Sequence, residues 1–189
     1  MIVLYKGVYQ LSKKRETLLI VAEKLFYEHG FHAIGLKQII TEADIAIMTL
    51  YNHFASKDEL IVEVLKRREQ QYMEYLHRFL TDDHEAILLN LAKGHAQRLM
   101  DIQSRGCMFL RAKEEFAGDP THPVVQTVNR HKENVMKFIE QLDSSLTSQQ
   151  ILQFSLLLEG STALAETEDT ATVCAQLIDM TEKLFVRAA

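Results

Sequence analysis

The chain has 189 residues, of which 47% are hydrophobic, 25% charged and 8% aromatic, and its formal net charge is -5. This apolar content excludes a disordered chain, and a total of only two prolines argues against a loop-rich all-β protein. No run of about 18 apolar residues is present, so we expect no membrane-spanning helix. The first ten residues lack the apolar segment and cleavage site of a signal peptide.

The two cysteines, Cys107 and Cys174, lie far apart and form no Cys-x-x-Cys motif. This spacing excludes a disulfide framework and a zinc finger, and it suits a reducing compartment. We therefore expect a cytoplasmic protein that has no cofactor and does not associate with membranes.

The charge is unevenly distributed along the chain. Residues 1–15 carry four basic residues and no acid, whereas residues 16–60 carry three lysines and seven acids. An acidic chain argues weakly against nucleic-acid binding, and the simplest interpretation of the basic segment is a solubilising terminus. Charge alone therefore does not indicate a function.

Apolar residues recur at helical spacing along almost the whole chain, without strand alternation or repeats. Ser12 and Asp82 or Asp83 are candidate helix caps, and Ser56 and Thr147 each begin a capping-box pattern. The pattern predicts an all-α fold. It places about nine helices near residues 12–29, 36–43, 47–54, 57–80, 84–103, 107–116, 123–143, 149–166 and 171–187.

The second and third predicted helices are short and joined by a tight turn, and another helix precedes them. This arrangement is typical of a helix-turn-helix unit. The most specific residues of this stretch are Gly30-Phe31, Ile39, Ala43, Ile45, the run Thr49-Leu50-Tyr51-Asn52-His53-Phe54 and the run Ser56-Lys57-Asp58-Glu59-Leu60. Over about the first third of its length, the chain thereby resembles the TetR family of one-component bacterial repressors.

The resemblance implies a DNA-binding domain at residues 1–56 and a ligand-binding and dimerisation domain at 57–189. It also implies a homodimer that represses transcription at a palindromic operator and is released by a small-molecule effector. A different interpretation is a helical ligand-binding or protein-interaction dimer whose DNA-binding unit is degenerate. Salt-dependent DNA binding distinguishes the two.

Several polar and basic side chains of the helix-turn-helix unit suit contacts with DNA. Lys57 and the group Lys13, Lys14 and Arg15 lie in first turns of helices, where the backbone already favours an anion. Such cations are electrostatically misplaced unless a phosphate approaches them. The predicted DNA-binding residues are Lys13, Lys14, Arg15, Lys37, Ile47, Met48, Thr49, Tyr51, Asn52, His53 and Lys57.

Four residues depart from the family pattern. Gly35 stands at a capping position, Ile40 replaces a small residue, and Asp44 and Met48 replace glycines. Asp tolerates the left-handed conformation, so we expect the turn to form. Met48 can contact a thymine methyl group or weaken binding, and specificity can rest partly on DNA shape.

The string from Gly106 to Leu110, with Glu114-Glu115-Phe116 and His122-Pro123-Val124, is similar to one broad subgroup of these regulators. A pocket between the long helices would be rich in Met and Phe, which predicts an apolar or aromatic effector. Cys107 is either a redox or electrophile sensor or a small buried residue. The candidate lining residues are Tyr72, His95, Leu99, Met100, Cys107, Met108, Phe109, Phe116 and Phe138.

The last two predicted helices are candidates for a dimer interface. The eighth is apolar on more than one side, so it needs a second partner, and a symmetric four-helix interface supplies one. A central core helix of a monomer is the alternative. The candidate interface residues are Phe154, Leu157, Leu158, Ser161, Leu177, Thr181 and Leu184.

An enzymatic function has little support in the sequence. Glu74-x-x-His77 has the spacing of di-iron bundle proteins, but those sites need two such motifs and two further glutamates. No phosphate-binding loop, nucleophile elbow or His-Glu-x-x-His motif is present. We therefore expect a protein that is not an enzyme.

Overall fold

The computed structural model describes residues 13–81, 86–102 and 106–186. These residues form nine α-helices and no β-strand, which confirms the predicted all-α fold. The proposed caps Ser12, Asp82 and Asp83 lie outside the described residues. The helices are α1 (Lys13–His29), α2 (Leu36–Glu42), α3 (Ile47–Tyr51), α4 (Lys57–Arg78), α5 (Ile87–Ile102), α6 (Met108–Glu115), α7 (Pro123–Leu142), α8 (Ser148–Leu164) and α9 (Thr170–Phe185).

The chain divides into two compact units, the first ending at Val64 and the second beginning at Leu65. Helix α4 runs through this division, so a functional boundary after residue 56 stays a prediction. Three phenylalanines, Phe26, Phe31 and Phe54, are fully buried in the first unit. The rings of Phe26 and Phe31 have centroids 5.1 Å apart. Together with buried Leu and Ile residues, they hold the short α2 and α3 against α1.

The turn between α2 and α3 depends on Asp44. Its φ angle is 51°, in the left-handed region that L-residues rarely adopt, and no other non-glycine residue in the described part of the chain has a positive φ. A short polar side chain tolerates this conformation, so the turn forms without glycine as expected. Helix α3 then ends at Tyr51, because the His53 and Phe54 amides both donate to the Leu50 carbonyl in a tight turn.

Side-chain caps form at both predicted capping boxes, and the box at α8 is complete. The Ser56 hydroxyl accepts a 3.1 Å hydrogen bond from the Glu59 amide, and the Glu59 carboxylate accepts one from the Ala55 amide at 2.6 Å. At α8, the Thr147 hydroxyl accepts from the Gln150 amide, and the Gln150 side chain accepts from the Thr147 amide. Each box satisfies backbone donors that the first turn leaves unpaired.

The core of the second unit lies among α5, α7, α8 and α9. Its buried side chains include Leu91, Ile139 and Phe154, all inaccessible to solvent. Cys174 belongs to this core, where its thiol donates to the Ala96 carbonyl at 3.4 Å. The aliphatic packing leaves one side of α5 facing a cavity, which is described below.

Gly106 occupies a position that no other residue fits without strain. Its φ angle is +88°, and an added Cβ would lie 1.8 Å from Oε1 of Glu166. We expect Gly106→Ala to lower the free energy of unfolding by about 1–2 kcal/mol, because the left-handed conformation disfavours a Cβ. Gly118→Ala is the matched control, since nothing lies within 4 Å of its added Cβ. Urea unfolding of both variants tests this, and equal stabilities would contradict it.

Candidate functional site

Helix α3 presents a continuous exposed face. Met48 is 67%, Tyr51 49% and Ile47 44% exposed, and Asn52 beyond the helix end is exposed as well. Leu50, on the opposite face, is fully buried and fixes the helix against the core. The structure thus brings four of the predicted DNA-binding side chains to one surface.

The other predicted residues of α3 and α2 are placed differently. Thr49 and His53 are half-buried, and the ring of His53 lies edge-on to that of Phe54 at 6.3 Å. Lys37 on α2 is exposed. Thr49 and His53 therefore offer less surface than the sequence suggested.

The cations in the first turns of α1 and α4 are not equivalent. Lys13 and Lys14 are exposed, whereas Lys57 is half-buried. The guanidinium of Arg15 donates a 2.5 Å hydrogen bond to the Glu63 carboxylate and lies 5.1 Å above the Phe54 ring centroid. This pairing leaves less of the Arg15 charge for a phosphate than the sequence suggested.

The second unit contains a cavity of about 410 Å³ between α4, α5, α6, α7 and α8. This volume lies within the range of small-molecule sites. Six of the candidate lining residues border it, namely Tyr72, His95, Leu99, Cys107, Met108 and Phe109. The other lining residues are Arg68, Arg98, Ile102, Gly106, Leu110, His131, Lys132, Val135, Met136, Ser155, Leu158, Glu159 and Thr162.

Three candidate lining residues do not border the cavity, and their assignment is corrected. Met100 is 47% exposed, because it lies about 100° around α5 from Leu99. Phe116 stacks on His122, with ring centroids 4.7 Å apart. Phe138 packs against His77 at 4.8 Å.

A hydrogen-bonded chain of side chains crosses the cavity wall. The Thr162 hydroxyl donates to the Leu158 carbonyl at 2.9 Å, so it accepts from Nε2 of His95 at 3.1 Å. Nδ1 of His95 then accepts from the Tyr72 hydroxyl at 3.0 Å. This hydrogen-bond pattern indicates that His95 is a neutral imidazole whose proton is on Nε2.

Burial and nearby cations keep both histidines of the cavity neutral. Burial, followed by the charges of Arg98 and Lys132, lowers the pKa of His95 to about 3. Burial, followed by the charges of Lys132, Arg98 and Arg68, lowers the pKa of His131 to about 3 as well. Burial also raises the pKa of Tyr72 above its ordinary value of 10.0.

His131 is held by aromatic stacking. Its ring lies parallel to that of Phe109, with centroids 3.7 Å apart. Nδ1 of His131 is buried without a hydrogen-bond partner, and the nearest carboxylate oxygen, of Glu69, is 3.9 Å away. A protonated imidazole here would gain little, which agrees with its lowered pKa.

The cavity is more polar than the predicted Met- and Phe-rich pocket. Lys132 forms an ion pair with Glu159, and its amine lies 3.8 Å from the Cys107 thiol. Sequence reasoning missed Lys132 and Glu159, and it also missed Arg68 and Arg98. The sequence does contain a pattern that places Arg68 on the buried face of α4, because Arg68 lies at helical spacing from Leu65 and Tyr72.

Most residues of the predicted dimer interface do not lie on the exposed faces of α8 and α9. The residues whose assignment is corrected are buried within the single chain at 6% exposure or less; they are Phe154, Leu158, Ser161, Leu177 and Thr181. Leu157 is half-buried and Leu184 is 51% exposed. The exposed apolar residues of α8 and α9 are Leu152, Leu156, Leu164, Met180 and Leu184, which we call the α8–α9 apolar patch.

His77 does not form part of a metal site in the described residues. No group of three or more His, Cys, Asp or Glu side chains among them is arranged to hold a metal ion. Within the same ranges, no helix is long and apolar enough to cross a membrane.

Comparison with known proteins identifies the first unit. Residues 18–64 match the family model described as bacterial regulatory proteins, tetR family. The HTH-type transcriptional activator FasR of Mycolicibacterium smegmatis is 42% identical over 56 residues. The first unit therefore carries a domain of the TetR family. The recognition made from residues Gly30 to Leu60 is thereby confirmed.

The similarity to TetR-family structures extends over both units. A TetR-family transcriptional regulator from Streptomyces coelicolor has a TM-score of 0.82 at 25% identity, covering 93% of this chain and 95% of that one. Reduced NemR of E. coli has a TM-score of 0.73 at 18% identity, covering 90% and 96%, and supports the fold alone.

The curated relatives match only in part. The FasR match spans 30% of this chain and 26% of that protein. The HTH-type transcriptional repressor KstR2 of Mycobacterium tuberculosis is 39% identical over 57 residues, which span 30% of this chain and 28% of that protein. The chain thus spans little more than a quarter of the length of these relatives. Their names include an activator and a repressor, and TetR-family members are regulators rather than enzymes.

Proposed function

We propose that this TetR-family chain is a transcriptional repressor that binds a palindromic operator as a homodimer and is released by a small molecule bound in the cavity. The observation that carries the DNA-binding part is the exposed face of α3. Two large apolar side chains, Ile47 and Met48, face solvent there at 44% and 67% exposure. Such exposure on a short helix of a helix-turn-helix unit suits insertion into a major groove, where thymine methyl groups offer apolar contacts.

The polar side chains around this face supply the remaining contacts. Tyr51, Asn52 and the half-buried His53 can donate to phosphate or base edges. Lys13, Lys14 and Lys57 lie in first turns of helices, where backbone amides favour a phosphate. Lys37 and Thr49 complete this proposed surface, and Arg15 is left out of it because it pairs with Glu63.

The proposed dimer uses the α8–α9 apolar patch. Its five members are between 44% and 64% exposed in the single chain. Exposed apolar side chains on two adjacent helices suit an interaction surface, and two copies related by a two-fold axis would cover them. The occupant we propose is therefore a second copy of this chain.

The regulatory part of the proposal depends on α4. This helix carries Lys57 at its start and two cavity residues, Arg68 and Tyr72, further along. A ligand that favours a different position of α4 would change the separation of the two DNA-binding units in the dimer. Operator affinity would fall because both half-sites could no longer be bound at once.

Selection from random duplex DNA with the purified full chain tests the proposal. We expect enrichment of an inverted repeat whose half-sites are centred about 10 base pairs, or a multiple of that, apart. A folded, dimeric protein that enriches no sequence would contradict the proposal and would favour the alternative of a degenerate DNA-binding unit. An enriched single half-site would contradict the dimeric part alone.

A lysine substitution tests the phosphate contacts separately from folding. Lys14→Ala should weaken operator binding and reduce the slope of log K against log salt by about one unit, since one phosphate contact is lost. Lys93→Ala, an exposed lysine of α5 in the second unit, removes the same charge and should leave the slope unchanged. Fluorescence anisotropy over a salt series measures both, and identical slopes would exclude Lys14 from the interface.

A further inference from the structure

The hydrogen bonds of the cavity wall fix the direction in which its hydroxyl groups donate. A hydroxyl has one proton and two acceptor lone pairs, so a hydroxyl that already donates can only accept from a ligand. The Tyr72 hydroxyl donates its proton to Nδ1 of His95 at 3.0 Å. The Ser155 hydroxyl donates its proton to the Ile151 carbonyl at 2.9 Å. Both hydroxyl-bearing side chains border the cavity, and neither has a proton left to donate.

The direction of the Tyr72 hydrogen bond is imposed from α8. The Leu158 carbonyl takes the proton of the Thr162 hydroxyl. The Thr162 oxygen then accepts from Nε2 of His95, which leaves Nδ1 of that ring as an acceptor. Burial raises the pKa of Tyr72, so its phenol keeps the proton that it donates at physiological pH. The tyrosine hydroxyl is therefore held as a donor to His95 and as an acceptor to any other group.

The Tyr72 oxygen has acceptor capacity left. In the part of the chain that the structure describes, its hydroxyl forms no hydrogen bond other than that to His95. The Tyr72 ring lies edge-on to the His95 ring, with centroids 5.7 Å apart, and the guanidinium carbon of Arg98 lies 5.4 Å from its centroid. These contacts engage the ring and fix its position. They leave lone pairs on the oxygen for a ligand.

The charged groups of the cavity wall have partners of their own. Lys132 pairs with Glu159, and Arg68 and Arg98 each interact with other groups as well. Both histidines of the cavity are neutral, because burial and nearby cations lower their pKa values to about 3. No ligand charge is needed to neutralise these groups, and a charged ligand would lose its hydration on entering.

The remaining wall of the cavity is apolar. Leu99, Phe109, Val135, Met136 and Leu158 border it on α5, α6, α7 and α8. Aliphatic, aromatic and thioether groups together accept a flat or flexible hydrocarbon body. A fixed acceptor beside an apolar wall, within about 410 Å³, suits an uncharged ligand that brings a donor of its own.

We propose that this cavity binds an uncharged, largely hydrocarbon ligand that carries a hydrogen-bond donor such as a hydroxyl group, and that the Tyr72 oxygen accepts from this donor. His95 is the positioning residue, because it takes the tyrosine proton. As the effector of the proposed regulator, this ligand would control operator binding, so that role rests on the proposed function. The binding itself is measured on the chain without DNA, which distinguishes failure of the ligand assignment from failure of the DNA-binding function.

Three naphthalene probes test the assignment on the full chain by isothermal titration calorimetry. 1-Naphthol carries the donor, 1-methoxynaphthalene replaces its proton by a methyl group, and 1-naphthoate carries a charge and no donor. We expect 1-naphthol to bind about three- to tenfold more tightly than 1-methoxynaphthalene, as one hydrogen bond predicts. The extra methyl group adds apolar area, so burial alone would favour the ether. 1-Naphthoate should bind more weakly than 1-naphthol.

Two cavity variants and one control locate the preference. His95→Leu frees the Tyr72 proton, so the hydroxyl can donate to the ether oxygen, and the two uncharged probes should then bind within about twofold of each other. The double variant Tyr72→Phe, His95→Leu removes the hydroxyl and the ring nitrogen together and should also abolish the preference. Tyr75→Phe removes a tyrosine hydroxyl of the same helix that donates to Asp101 outside the cavity, and it should leave the preference unchanged.

The same measurements can overturn the proposal. Equal affinities of the unsubstituted chain for 1-naphthol and 1-methoxynaphthalene, tightest binding of 1-naphthoate, or no binding of 1-naphthol would each contradict it. A preference for 1-naphthol that persists in the double variant would exclude Tyr72 as the acceptor. Circular dichroism and thermal unfolding of every variant accompany the titrations. If the double variant does not fold, His95→Leu decides the result.

Discussion

Lowering the pH from 7.5 to 5 should reduce the free energy of unfolding by about 4 kcal/mol, through two buried histidines alone. Burial and nearby cations lower the pKa values of His95 and His131 to about 3 in the folded protein, from an ordinary value of 6.5. Between these values the unfolded chain binds protons that the folded chain does not, so stability falls as pH falls. Each histidine contributes about 2 kcal/mol over this range, and the loss is absent well above pH 6.5.

Urea unfolding at fixed protein concentration measures this dependence, because the stability of an oligomer varies with concentration. His131→Phe should halve the loss, since it keeps the stacking on Phe109 and removes the titrating group. The variant should be no less stable at pH 7.5, where Nδ1 of His131 has no hydrogen-bond partner to lose. An unchanged pH dependence in His131→Phe would show that the pKa of His131 is not lowered in the folded protein.

The sequence was sufficient for the helices and the helix-turn-helix unit because local rules decide them. Capping boxes at Ser56 and Thr147 are set by residues three apart, and helical periodicity requires only neighbouring turns. Asp44 stands where the TetR pattern has a turn glycine, and its side chain permits the left-handed conformation found there. These features depend on few long-range contacts.

The cavity and the exposed faces could not be predicted in the same way. Arg15 looked like a phosphate ligand until Glu63, which lies 48 residues away, was placed beside it. Thr162 meets His95 across 67 residues, and no spacing rule connects them. Such partners are chosen by tertiary packing, which a single sequence does not report.

Helix α8 combines a prediction that stays open with residues that the core already uses. Its apolar character on more than one side predicts that it needs a partner on two faces. Composition does not say which face belongs to the chain's own core, and Phe154 and Leu158 proved to be that face. Leu152 and Leu156, offset around the helix, are the residues left exposed.

Leu156→Glu should weaken the proposed dimer about 10²- to 10⁴-fold. Leu156 is 64% exposed in the single chain, so the substitution costs the isolated fold little. Across a two-fold axis the change occurs twice, and each lost leucine removes about 1.5–3 kcal/mol of burial. Sedimentation velocity over a concentration series measures the dissociation constant. Met100→Glu, which alters an exposed residue of α5 outside the α8–α9 apolar patch, should leave it unchanged.

Comparing Phe154→Ala with Leu156→Glu distinguishes a core residue from an interface residue. Phe154 is fully buried within one chain, so its truncation should lower the free energy of unfolding by about 3–5 kcal/mol. Leu156→Glu should instead leave a folded monomer that has lost operator affinity, because one half-site no longer assists binding to the other. If Phe154→Ala is a stable monomer and Leu156→Glu is a normal dimer, the interface would instead include Phe154, as the sequence analysis predicted.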